Sequence, residues 1–73
     1  MTIEEVEKGE QKIGQEYVIT KLVRVMLSGT RELEVGDVIK LYSLATKDRY
    51  PTYELPNVPV ALCLDSKVEV DEI

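Results

Sequence analysis

Apolar and polar positions alternate one by one in several short runs of this chain, the period of a half-buried strand. "YVITKLVRVML", Tyr17 to Leu27, is rich in Val, Ile and Leu and lacks Pro and Gly, so it predicts a long strand. Tyr17, Ile19, Val23, Val25 and Leu27 share one face, interrupted by Lys21, while Val18, Leu22 and Met26 lie on the other beside Thr20 and Arg24. Two half-apolar faces suggest a strand that curls across a barrel, or one that a tail or partner covers.

"SGT", Ser28 to Thr30, predicts a short turn. "RELEV" follows, with Leu33 and Val35 inward and Glu32 and Glu34 outward. Gly36-Asp37 predicts a bulged turn: Gly accepts positive φ and Asp can bond nearby backbone N–H groups. "VIKLYSL", Val38 to Leu44, is the next strand, and 45–57 is a connection with room for a short strand around Thr52–Leu55. "VPVALCL" places Val58, Val60, Leu62 and Leu64 on one face of a strand, with Pro59 confining it to an edge or to the strand's start. After a turn at Asp65-Ser66, "KVEVDEI" alternates Val68 and Val70 against Lys67, Glu69 and Asp71.

At the start of the chain, Thr2 and Glu5 have the spacing of a capping box, Ile3 and Val6 share a helical face, and Gly9 can end the turn. Residues 1–14 therefore form either a short helix or a disordered acidic tail, and 15–73 a single β domain. The fold class is mostly β: a small antiparallel barrel of five to six strands, or an SH3-like two-layer sheet. The run "LEVGDVIKLY" looks like the strand–corner–strand of SH3-like and similar small barrels. It spans about ten residues and is common in unrelated proteins, so no functional residue transfers with it.

Composition narrows the function. Seventy-three residues make one domain at most, which buries only about 60% of its unfolded surface. The net charge of −5 sits at the ends: residues 1–16 hold five Glu against two Lys, and 65–73 hold Asp65, Glu69, Asp71 and Glu72 against Lys67. The middle, 17–64, has five acids and six bases. Acidic surface is expected at Glu4, Glu5, Glu7, Glu69, Asp71 and Glu72, suited to a basic partner; nucleic-acid binding is disfavoured without clustered Lys and Arg.

No histidine is present for proton transfer, and Cys63 lies in the most apolar run, where burial would leave it inert. Ser28, Ser43 and Ser66 have no identifiable base, and the i,i+2 pair Glu32 and Glu34 faces solvent. No catalytic residue and no enzyme activity are expected. No metal site or cofactor is expected either: one Cys without His cannot assemble a zinc site, and the acids at 65–72 lack the spacing of a calcium loop. A single cysteine, an acidic start without an apolar signal core and no run longer than Val58–Leu64 predict a cytoplasmic protein (host cytoplasm for a virus-encoded one) with no membrane span.

The remaining candidate is the 45–57 connection. Arg49, Tyr50 and Tyr53 are of the types enriched at binding hot spots, with Lys47 and Glu54 beside them, and Pro51 and Pro56 stiffen the segment. The expected function is a non-enzymatic interaction module that binds a larger protein and regulates or inhibits it, through β-edge or loop contact at 47–55. A viral inhibitor of a nucleic-acid-handling enzyme is one form of this. The rival readings are an assembly subunit that homo-oligomerises through strand 17–27, and a small nucleic-acid-binding barrel.

Overall fold

The alternating segments pair as strands in a computed structural model that describes residues 1–28 and 31–73. The chain is mostly β, with one short helix. Its elements are α1 (Ile3–Lys8), β1 (Glu16–Lys21), β2 (Leu27–Ser28), β3 (Arg31–Glu32), β4 (Val38–Ser43), β5 (Thr52–Glu54) and β6 (Glu69–Glu72). Four strands form one antiparallel sheet in the order β5-β4-β1-β6, and β2 and β3 form a separate two-stranded ribbon. The Cα radius of gyration, 11.1 Å, matches the ~11 Å expected of a folded chain of this length.

One face of the sheet is the core. Tyr17 and Ile19 from β1, Ile39 and Leu41 from β4, Tyr53 from β5 and Val70 from β6 alternate inward, as the period of two requires. Leu33, Leu55, Leu64 and Val68 join them from the connections. The N-terminal segment is ordered against this core. Met1 exchanges hydrogen bonds with Val70 along the outer edge of β6, and the Ile3 amide donates to the Val68 carbonyl at 2.9 Å. The expected capping box forms at Thr2 and Glu5, and α1 turns Ile3 and Val6 into the cluster. Burying Ile3 completely contributes about 2 kcal/mol, more than a six-residue helix could supply by propensity. Gly9 ends α1 with φ −88°, so the stop uses no left-handed residue.

Two turns use residues chosen for positive φ. Gly36, at φ 98°, occupies the third position of a turn closed by the Asp37 amide donating to the Glu34 carbonyl. Asn57, at φ 65°, follows Pro56 in a turn closed by Val58 on Leu55. The Asp37 carboxylate accepts from the Glu34 amide at 2.8 Å and from the Arg31 guanidinium at 2.9 Å, which fixes the expected corner. Burial alone would raise the Asp37 pKa, but these two donors overcome it and hold the carboxyl below its ordinary value.

Several expectations need correction. The strand read over 17–27 stops at Lys21, after a register shift between Ile19 and Lys21. Lys21 itself is exposed and pairs with Glu69 at 3.7 Å, and neither neighbouring strand continues the ladder beyond it. Val23, Val25 and Leu27 are consequently exposed, as is Val35 in its turn. Residues 58–64 form no strand, because Pro59 cannot donate to a ladder; Leu62 alone bridges to Tyr53. Val60 and Cys63 point outward, so Cys63 is an exposed free thiol rather than a buried one. Of the expected turn at 28–30, residues 29 and 30 lie outside the described residues.

Candidate functional site

The loop between β4 and β5 is built to hold a fixed shape. The Ser43 and Thr52 hydroxyls share a hydrogen bond at 2.6 Å across its base, and Pro51 is fully buried there. At the tip, Thr46 and Arg49 bridge through both backbone groups, which reverses the chain at Lys47-Asp48. A third tether comes from outside the loop: Gln11 donates to the Glu7 carbonyl at 2.8 Å and accepts from the Ala45 amide at 3.4 Å. Gln11 thus ties the loop to the end of α1, a role that nothing in the local sequence pattern signals.

These tethers create two adjoining grooves. One, of about 440 Å³, runs between Glu7 and Lys8 of α1 and the loop residues Ala45–Pro51. The other, of about 330 Å³, lies between Glu7, Tyr50 and the segment Cys63–Ser66. Glu7 and Tyr50 line both, so the Tyr50 side chain, 74% exposed, stands on the ridge between them. Burial, and then the nearby Glu4 charge, push the Glu7 carboxyl above its ordinary value. Arg49 and Lys47 flank the first groove and Asp65 the second. Asp65 is already engaged: it accepts from the Lys67 amide at 2.9 Å and pairs with Arg24 at 3.5 Å.

Of the expected contact residues, Lys47, Arg49 and Tyr50 are exposed together on this loop. Tyr53 is not among them: it is 0% exposed, in the centre of the core, and cannot touch a partner while the chain is folded. Its hydroxyl has no hydrogen-bond partner among the described residues. Burial, followed by the Glu7 charge, drives its pKa far above the ordinary tyrosine value. Glu54 sits opposite Lys40 on β4 and lines a different depression with Glu16, Val38 and Pro56. Contact by strand addition at β5 is also ruled out by geometry. Its outward groups are taken by Leu62 at Tyr53, and Pro51 has no N–H to offer.

The two acidic ends, separate in sequence, lie side by side. Thr2 bridges to Glu69, and Glu5, Glu10 and Glu72 line one groove along with Lys12 and Tyr17. Within this face Glu4 pairs with Lys8 at 2.9 Å, and Glu69 with Lys21 at 3.7 Å, while Asp71 is exposed opposite Val18. Glu5 is held below its ordinary value by the Thr2 amide and hydroxyl. Among the described residues, no three His, Cys, Asp or Glu side chains converge as metal ligands would, and no helix is long and apolar enough to cross a membrane. Compared with protein-family models, curated proteins and solved structures, the chain matches none.

Proposed function

We propose that the chain is a non-enzymatic protein-interaction module that grips a larger protein with loop 45–51 and regulates it by covering its surface. The observation that carries this reading is Tyr50, 74% exposed on a ridge between two grooves, on a loop tied at its base, tip and flank. A tyrosine held this way offers a large apolar contact with few side-chain torsions to order, and a fixed loop lowers the entropy lost on binding. Arg49 offers a planar fork to a carboxylate on the partner, and Lys47 a second charge at the rim. The joined acidic face of α1 and β6 favours a partner with a basic surface and speeds the encounter at low salt.

The test is affinity capture from the native host's lysate with the wild-type chain and with Tyr50→Ala, the two matched by circular dichroism. Tyr50→Ala is expected to recover about tenfold less of the captured partner, as loss of a hot-spot aromatic does. Equal recovery by the two proteins would refute the site.

A further inference from the structure

We propose that the groove between Glu7, Tyr50 and Cys63–Ser66 seats an arginine side chain of the partner, its guanidinium between the Tyr50 ring and the Glu7 carboxylate. This rests on the loop reading above and deepens it, by naming the group that the partner carries at that point.

Glu7 supplies the first argument. It stands in the last turn of α1, half-buried, and lines both grooves with Tyr50. Four ion pairs form among the described residues, and none uses Glu7. Lys8, its neighbour in sequence, turns to Glu4 at 2.9 Å, and Gln11 donates to the Glu7 backbone carbonyl rather than to the carboxylate. Burial and the like charge of Glu4 act on this carboxylate, and no base offsets them. The same shortage of donors shows from the inside. The Tyr53 hydroxyl is fully buried without a partner among the described residues, and the charges that act on it include Glu7 and Cys63, two walls of this groove.

Charge selects the groove and its occupant. The groove on the α1 side carries three bases, Lys8, Lys47 and Arg49, against Glu7 and Asp48, and disfavours a cation. The groove on the Cys63 side has Glu7 and Asp65 and no base among its lining residues. Asp65 is held by Arg24 at 3.5 Å and by the Lys67 amide, which leaves Glu7 as the charge to be matched. An acidic group entering here would meet like charge. An apolar one would bury Glu7 further without giving it a donor, which is costly. A cation is the occupant that offsets it.

Tyr50 makes arginine the better cation. Its side chain is 74% exposed, so a ring face is open to a cation at about 6 Å or less from the ring centre. A guanidinium is planar: it stacks on the ring with its face and donates to a carboxylate with its edge. An ammonium is more strongly hydrated and has no plane to stack. Tyr50 and Leu64 also give the arginine methylenes an apolar wall to lie against.

Titration of the isotope-labelled full chain with N-acetyl-arginine N-methylamide, followed by amide chemical shifts, tests this without the partner. Saturable shifts are expected at Tyr50 and Cys63–Ser66. The citrulline analogue has the same shape without the charge, and should bind at least about threefold more weakly. Glu7→Gln and Tyr50→Ala should each weaken the arginine probe by at least about threefold. Gln keeps the shape of Glu7 in a neutral form, so circular dichroism of Glu7→Gln should match the wild type. Glu54→Gln removes the same charge from a different depression and should leave the affinity unchanged. No saturation up to about 0.1 M, equal binding of the citrulline probe, or full affinity in Glu7→Gln would each overturn the arginine seat. A null titration while Tyr50→Ala still loses the captured partner removes the seat alone. Equal capture by Tyr50→Ala removes the loop reading, and the partner's arginine with it.

Discussion

Tyr53 and Leu62 exchange both backbone hydrogen bonds, each at 2.7 Å, and this one-residue bridge closes the outer edge of β5. Leu62 belongs to no strand, yet it removes the groups that would let another chain add to the sheet. Leu62→Pro deletes the donor and should cost about 1–3 kcal/mol while exposing the edge. Urea unfolding and thioflavin-T fluorescence would register lower stability and faster aggregation. A variant as stable and as soluble as the wild type would show that the bridge protects nothing.

The same tyrosine carries an uncompensated hydroxyl. Tyr53 is fully buried and its oxygen has no partner among the described residues. Tyr53→Phe keeps the ring and removes the orphan, so unfolding free energy should stay level or rise by about 1 kcal/mol. Tyr53→Ala, which removes the ring as well, should lose about 3–5 kcal/mol. Spectrophotometric titration gives a companion result. Tyr53 and Tyr17 both have raised pKa values, burial being the main cause in each, so two of the four tyrosines should ionise above the ordinary range or only on alkaline unfolding. A clear loss of stability in Tyr53→Phe would mean that the hydroxyl is bonded.

Much of this fold could be read from the sequence, and the failures share a cause. Val38–Ser43, Thr52–Glu54 and Glu69–Glu72 formed where the alternation put them, and Thr2 and Glu5 capped α1 as their spacing required. Local pattern was sufficient because each of these segments also found a neighbour. Val23 and Val25 alternate just as well, but the strands that pair with β1 end first, Leu27 pairs only in the short ribbon with Glu32, and no local rule reports the length of a neighbour. At the site, Tyr50 and Tyr53 are chemically identical and three residues apart. Register with Leu41 sends Tyr53 inward, while Tyr50 precedes the buried Pro51 and stays out. Gln11 was invisible for another reason: its contact with the loop, at Ala45, lies 34 residues away.

Acid should weaken the fold through two carboxylates with lowered pKa values. Asp37 is held down by the Glu34 amide and Arg31 against the opposing effect of burial, and Glu5 by the Thr2 amide and hydroxyl. A group whose folded pKa is depressed contributes stability above its unfolded value and loses it as pH falls through the folded value. Both contributions are therefore intact at neutral pH and fade below about pH 4. Glu7 acts oppositely: its raised value means that protonation favours the folded state. Asp37→Ala should cost about 1–2 kcal/mol at pH 7 and flatten the acid limb of the stability–pH curve, measured by urea unfolding from pH 7 to pH 3. An acid limb that keeps its wild-type slope in Asp37→Ala would remove Asp37 from this account.

Contact through the tethered loop is the claim on which the functional reading rests, and hydrogen–deuterium exchange of the captured complex tests it most directly. With the partner bound, exchange should slow in residues 45–51 and 63–66, the walls that meet at Tyr50, and stay unchanged at Val38–Leu41 in the sheet. Protection confined to other surfaces, with 45–51 exchanging as fast as in the free chain, would contradict it.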